Sequence, residues 1–113
     1  MSDGDERRGA PRETAYVAAE IIVDDGKPKL AVMQDASESG VRLLTHTRVE
    51  LGDRLEVALQ LAAERRLVVT GHVARVEPLA PGGPWRFRVG IALDEPHPEL
   101  ADEATEIGQR QRG

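Results

Sequence analysis

The chain has 113 residues, 40% of them hydrophobic, which bounds it to one small domain with a single core. It contains no cysteine, which excludes a disulfide framework and thiolate zinc sites, and its one Trp, one Tyr and one Phe leave the core to Val, Leu, Ile and Ala. Fifteen basic against twenty acidic side chains give a net charge of -5, so any anion it binds must be held by a local basic cluster.

Residues 1–13 hold almost no apolar side chain and are expected to form a mobile arm. Their polar, acidic start lacks the apolar stretch of a signal peptide, and no apolar run approaches the roughly 20 residues of a membrane helix. A soluble cytoplasmic protein without membrane insertion is the expectation. Within the arm, Glu6-Arg7-Arg8-Gly9-Ala10-Pro11-Arg12 sets Arg8 and Arg12 four residues apart, with Arg7 beside them and Pro11 stiffening the approach to the second.

Structure is expected from Tyr16. Val17, Ala19, Ile21 and Val23 alternate with Ala18, Glu20 and Ile22, the period of a strand with one buried face, and Asp24-Asp25-Gly26 supplies hairpin chemistry. A second strand is predicted from Pro28 to Gln34 and a third from Val41 to His46. The turn between them, Asp35-Ala36-Ser37-Glu38-Ser39-Gly40, has the form Asp-x-Ser-x-x-Gly. After a turn at Gly52-Asp53, Leu55, Val57, Leu59 and Leu61 share one face while Arg54, Glu56 and Gln60 take the other. The segment from Leu67 to Val76 is β-branched, with Gly71 marking a bulge or a close approach. Pro81-Gly82-Gly83-Pro84 is a loop. Trp85, Phe87, Val89, Ile91 and Leu93 then form the core face of a sixth strand. Beyond Pro96 the period becomes helical through Leu100, Ala101, Ala104 and Ile107, with Pro98 in the first turn and Gly108 as the stop. Six antiparallel strands predict an all-β fold that closes into a barrel, the helix capping one opening.

The Arg-x-x-x-Arg arm and the Asp-x-Ser-x-x-Gly turn, in this order and at this separation, together with Val89-Gly90-Ile91 on the last strand, resemble the PilZ family of bacterial cyclic di-GMP receptors. The resemblance implies a six-stranded PilZ-like β-barrel with a C-terminal helix and a flexible N-terminal arm. It divides the chain into an arm over 1–13, a barrel over 14–96 and a helix and tail over 97–113. It also implies a cyclic di-GMP site made of Arg7, Arg8 and Arg12 with Asp35, Ser37 and Gly40, needing no cofactor beyond that ligand. Output is expected through an unidentified protein partner.

The residue types suit such a ligand. A guanidinium pairs bidentately with phosphate or with guanine O6 and N7, and its plane stacks on purines. Asp35 would accept hydrogen bonds from guanine donors, the Ser37 hydroxyl would fix that carboxylate or contact the base, and Gly40 would let the ligand approach the backbone. The plainer readings are a solvated charged tail for Arg7, Arg8 and Arg12 and turn-capping roles for Asp35 and Ser37. A PilZ-like adaptor that no longer binds the ligand is the alternative, motivated by Glu38 within the turn and the loose Gly9-Ala10. An oligonucleotide-binding barrel fits the architecture but not the acidic charge or the scarcity of stacking aromatics, so no nucleic-acid polymer is expected as a partner.

Enzymatic activity is not expected. His46, His72 and His97 lack metal-ligand spacing, and a Ser37-His72-Asp35 triad has no accompanying oxyanion-hole signature. Trp85 and Phe87 are assigned to the core, Arg54, Arg65, Arg66, Arg86 and Arg88 to solvent faces, and Ala18 and Ile22 to exposed positions hinting at a contact surface.

Overall fold

A computed structural model describes residues 13–23 and 26–112. The described strands are β1 (Glu13–Val23), β2 (Lys27–Ser37), β3 (Gly40–Thr45), β4 (Arg54–Ala62), β5 (Arg65–Pro78) and β6 (Phe87–Leu93), followed by helix α1 (Pro98–Arg112). All neighbours pair antiparallel, and the order β1-β2-β3-β6-β5-β4 closes on itself through β1 and β4, so every strand finds two partners and no edge is left open. The expected six-stranded barrel with a C-terminal helix is the fold observed. The predicted Asp24-Asp25 hairpin and the arm arginines Arg7, Arg8 and Arg12 lie outside the described residues.

The alternating faces fall as their periodicity requires. Val17, Ala19 and Ile21 of β1, Leu55, Val57, Leu59 and Leu61 of β4, and Val89 and Ile91 of β6 point into one core. Leu100, Ala104 and Ile107 of α1 join that same core. The helix closes the barrel end where β1 and β5 begin: Gln111 bonds both backbone groups of Tyr16, at 3.0 and 2.7 Å, and Glu103 pairs with Arg65. Gly71 is a close approach and not a bulge, because a Cβ there would sit 2.3 Å from the Ala92 carbonyl oxygen.

Four expectations are corrected. Asp35, Ala36 and Ser37 belong to β2, and the turn is only Glu38-Ser39. Ordered strand begins at Glu13, ahead of Tyr16, because β1 pairs with the extended end of β2. Gly108 does not stop the helix, which runs on to Arg112 with Gly108 buried. Interior glycine costs a helix about 1 kcal/mol, and the Gln111 clamp on Tyr16 offsets it. Finally, Trp85 precedes β6 and stands outside the core, its ring stacked on His46 with centroids 4.9 Å apart.

Candidate functional site

The β2–β3 hairpin carries the site, and a bulge orients it. Met33 pairs with Leu43, both fully buried, but the register then shifts so that Asp35 pairs with Arg42, Ala36 with Val41 and Ser37 with Gly40. Strict alternation from Met33 would have turned Asp35 into the core. The extra residue, Gln34, instead turns Ala36 inward and sets Asp35 on the outer side with Arg42. A matching shift between Val73 and Arg75 in β5 sets Arg75 opposite Gly90.

Two outward rows result. One runs Asp35, Arg42, Gly90, Arg75 and the other Ser37, Gly40, Ala92, His72. The small residues in the middle leave a shallow depression of about 410 Å³ between the Arg42 and Arg75 side chains. A Cβ added to Gly90 would meet the Arg75 Cβ at 3.4 Å, so larger side chains on β6 would fill the floor.

Asp35 is 4% exposed and receives the Arg42 guanidinium as a fork: Nε reaches Oδ1 at 3.2 Å and Oδ2 at 3.0 Å, and a terminal nitrogen reaches Oδ2 at 2.9 Å. This fork fixes the orientation of the Asp35 carboxylate. Ser37, also buried, accepts the Ser39 amide at 3.4 Å and lies 3.4 Å from the Ser39 hydroxyl. The turn is held by the adjoining end of β6 and the segment after it, since the amides of Leu93 and His97 donate to the carbonyls of Ser39 and Glu38 at 3.0 and 2.8 Å. Asp35, Ser37 and Gly40 are thus brought together on one braced hairpin.

Arg42 and Arg75 are site residues that the sequence reading missed. A readable signal existed for Arg42: with Glu38-Ser39 as a two-residue turn, counting outward pairs Asp35 with position 42. Nothing in the sequence marks the bulge that brings Arg75 to Gly90. The imagined Ser37-His72-Asp35 triad is not assembled, for His72 stands three strands from Ser37, roughly 14 Å at ordinary strand spacing. The predicted solvent-facing arginines are mostly paired: Arg54 with Asp94, Arg65 with Glu103, Arg66 with Glu20, and Arg88 with both Gln34 and Glu77 at 3.0 Å.

The same architecture occurs in solved structures. The PilZ domain of YcgR from Escherichia coli, determined with c-di-GMP, superposes with a TM-score of 0.73 at 13% identity, over 94% of each chain. The Bacillus subtilis inhibitor of motility MotI/DgrA superposes with a TM-score of 0.64 at 16% identity, over 94% of this chain and 51% of that one. At such identities the likeness concerns the fold. No curated protein sequence matches the chain. The model of the PilZ domain matches residues 6–106, from the arm through the barrel into α1. With the closed six-stranded barrel and the Asp35 hairpin all inside that match, the chain belongs to the PilZ domain family.

Proposed function

We propose that this chain is a bacterial, cytoplasmic receptor for cyclic di-GMP, with residues 1–13 as a ligand-responsive arm, 14–96 as the barrel and 97–113 as the helix and tail. The observation that carries the reading is the β1 register: Glu13 stands opposite Ala36 and Thr14 opposite Asp35. The chain therefore enters the sheet one residue after Arg12, alongside the segment that bears Asp35 and Ser37. Arg8 and Arg12, with Arg7 as a third contact, would meet phosphates and guanine O6 and N7, while Asp35 accepts from guanine N–H groups. Ser37 would support that carboxylate, and Gly40 with Gly90 would leave a floor on which a planar base can lie. Arg42 and Arg75 add positive charge on either side of it. The similar PilZ domain of YcgR, determined with c-di-GMP, supports this ligand class. Signalling would pass to a partner protein, by a change of arm conformation that costs part of the binding energy.

Isothermal titration with cyclic di-GMP tests the reading, with GTP and cyclic di-AMP as controls. Selective, saturable heat is expected, and Arg8→Ala or Arg12→Ala should each weaken binding roughly ten- to a hundredfold, the worth of one charge-assisted contact of about 1.5–3 kcal/mol. Unchanged far-UV circular dichroism in those variants would separate lost contacts from lost folding. Absence of heat at high ligand concentration would overturn the receptor and leave the adaptor reading.

A further inference from the structure

A second depression lies at the barrel end opposite α1. It holds about 530 Å³ between the stacked His46 and Trp85 rings and the 78–83 segment, with Arg86 and Phe87 completing its wall. The loop is tied down at its base: the Leu79 amide donates to the Arg86 carbonyl at 2.9 Å, and the Arg86 amide donates to the Thr45 carbonyl at 3.2 Å. Gly82, at φ 87°, makes the bend. The groove is therefore preformed. Beside it, one step past the row Ala31, Thr45, Phe87, Leu30 is 66% exposed and its carbonyl accepts the Thr45 hydroxyl at 2.9 Å.

Its aromatic and prolyl walls set it apart from the depression between Arg42 and Arg75. The walls are prolyl, aliphatic and aromatic, and among the described residues no Asp or Glu lines the groove. Among the described residues, Arg42, Arg54, Arg65, Arg66 and Arg88 all make ion pairs, whereas Arg86 in the groove and Lys29 beside Leu30 make none, as is also true of Lys27, Arg48, Arg75 and Arg110 elsewhere. An apolar groove with uncompensated positive charge, on an acidic molecule, complements an acidic segment that has an apolar anchor. The closed barrel offers no edge for strand addition, so recognition must go through side chains, as aromatic-lined grooves recognise extended prolyl segments. A single nucleic-acid strand fits less well, for it needs several stacking platforms and Trp85 already gives one face to His46.

The geometry points to this groove as a docking site for an extended acidic segment of a partner protein, its prolyl or aliphatic anchor seated against the His46–Trp85 stack and its carboxylates held by Arg86. The groove shares an outer face with the Asp35 site: β3 presents Arg42 and Leu44, and the row continues one residue past the strand to His46, about 13 Å from Arg42. It supplies the partner surface the receptor reading calls for, and only that link rests on the cyclic di-GMP proposal.

Trp85 is the sole tryptophan, so its emission reports occupancy directly. The protein, without nucleotide, is titrated with a short peptide of Asp and Glu around a central Leu-Pro-Leu. Controls are the same peptide with Ser-Gly-Ser at the centre, one with Lys for the acids, and oligothymidylate. A saturable emission change is expected with the first peptide alone, accompanied by shifts of the Trp85 indole and Arg86 amide signals in nitrogen-proton correlation spectra. Arg86→Glu should weaken it about tenfold or more, the worth of one lost charge-assisted bond. Arg86→Gln serves if that reversal lowers the melting temperature. No saturable change up to millimolar peptide, equal response to either control peptide, or preference for oligothymidylate would overturn the proposal. Because nucleotide is left out, a silent cyclic di-GMP titration does not affect this result, and the Arg86 variants should bind cyclic di-GMP as the parent does.

Discussion

Single atoms decide several properties of this barrel. At Gly71 even a methyl group meets the Ala92 carbonyl oxygen at 2.3 Å and Ile91 Cγ2 at 3.0 Å, so β5 would have to retreat from β6. Gly71→Ala should lower stability by about 3 kcal/mol in urea unfolding, a large cost for so small a change. Asp94 presents an electrostatic case. Hydrogen bonds from Arg54 and then Thr70 hold its carboxyl below its ordinary value of 3.8. A carboxylate with a lowered folded pKa stabilises above its unfolded value and loses that contribution as pH falls through the folded one. Asp94→Asn should therefore flatten the acid limb of the urea midpoint below about pH 5 and leave the two proteins converging once the carboxyl is protonated in both states. Arg42 shows where residue-level reading fell short: it follows Gly40 by two positions, yet only the pairing across the Glu38-Ser39 turn reveals that it holds Asp35.

The elements divide into those that periodicity describes and those that bulges redirect. β4 reads correctly except at Ala58, which is buried on the outer face, because Leu55, Val57, Leu59 and Leu61 meet the core while Arg54, Glu56 and Gln60 meet water. β2 does not, since the shift after Met33 reverses the faces of everything beyond it. Helix α1 is a third case, its buried stripe legible and its end not. Leu100 is fully buried in the core shared with the strands. Leu100→Ala should cost about 2–5 kcal/mol in equilibrium unfolding as a single cooperative transition. A separate, earlier loss of helical signal would mean instead that α1 is an appended element. Trp85 was misassigned for a related reason: its alternation continues that of β6, but the Gly82-Gly83-Pro84 loop ends the sheet at Phe87 and leaves the indole to His46.

Across the whole molecule, β3 and β6 run from the Asp35 depression to the Trp85 groove, with Arg88 crosslinked to Gln34 and Glu77 between them. A ligand that binds only the folded form stabilises it by mass action, by about 2.7 kcal/mol at a hundred times its dissociation constant. For a domain of this size that corresponds to a melting-temperature rise of roughly 10–20 °C. Cyclic di-GMP should produce such a rise in differential scanning fluorimetry, and the combined Arg8→Ala/Arg12→Ala protein should show little of it. An equal rise with GTP would indicate general anion binding and not recognition of the cyclic dinucleotide.

The number of strands, the composition of the core, the barrel class and the Arg-x-x-x-Arg and Asp-x-Ser-x-x-Gly motifs were all present in the linear chain, because side-chain period and turn chemistry are local quantities. Tertiary structure alone decided that Asp35 faces outward, that Arg42 and Arg75 flank a glycine floor, and that His46 meets Trp85 thirty-nine positions away. Each depends on register between strands distant in sequence. A one-residue bulge, invisible to any local pattern, is enough to move a side chain from the core face of a strand to its outer face.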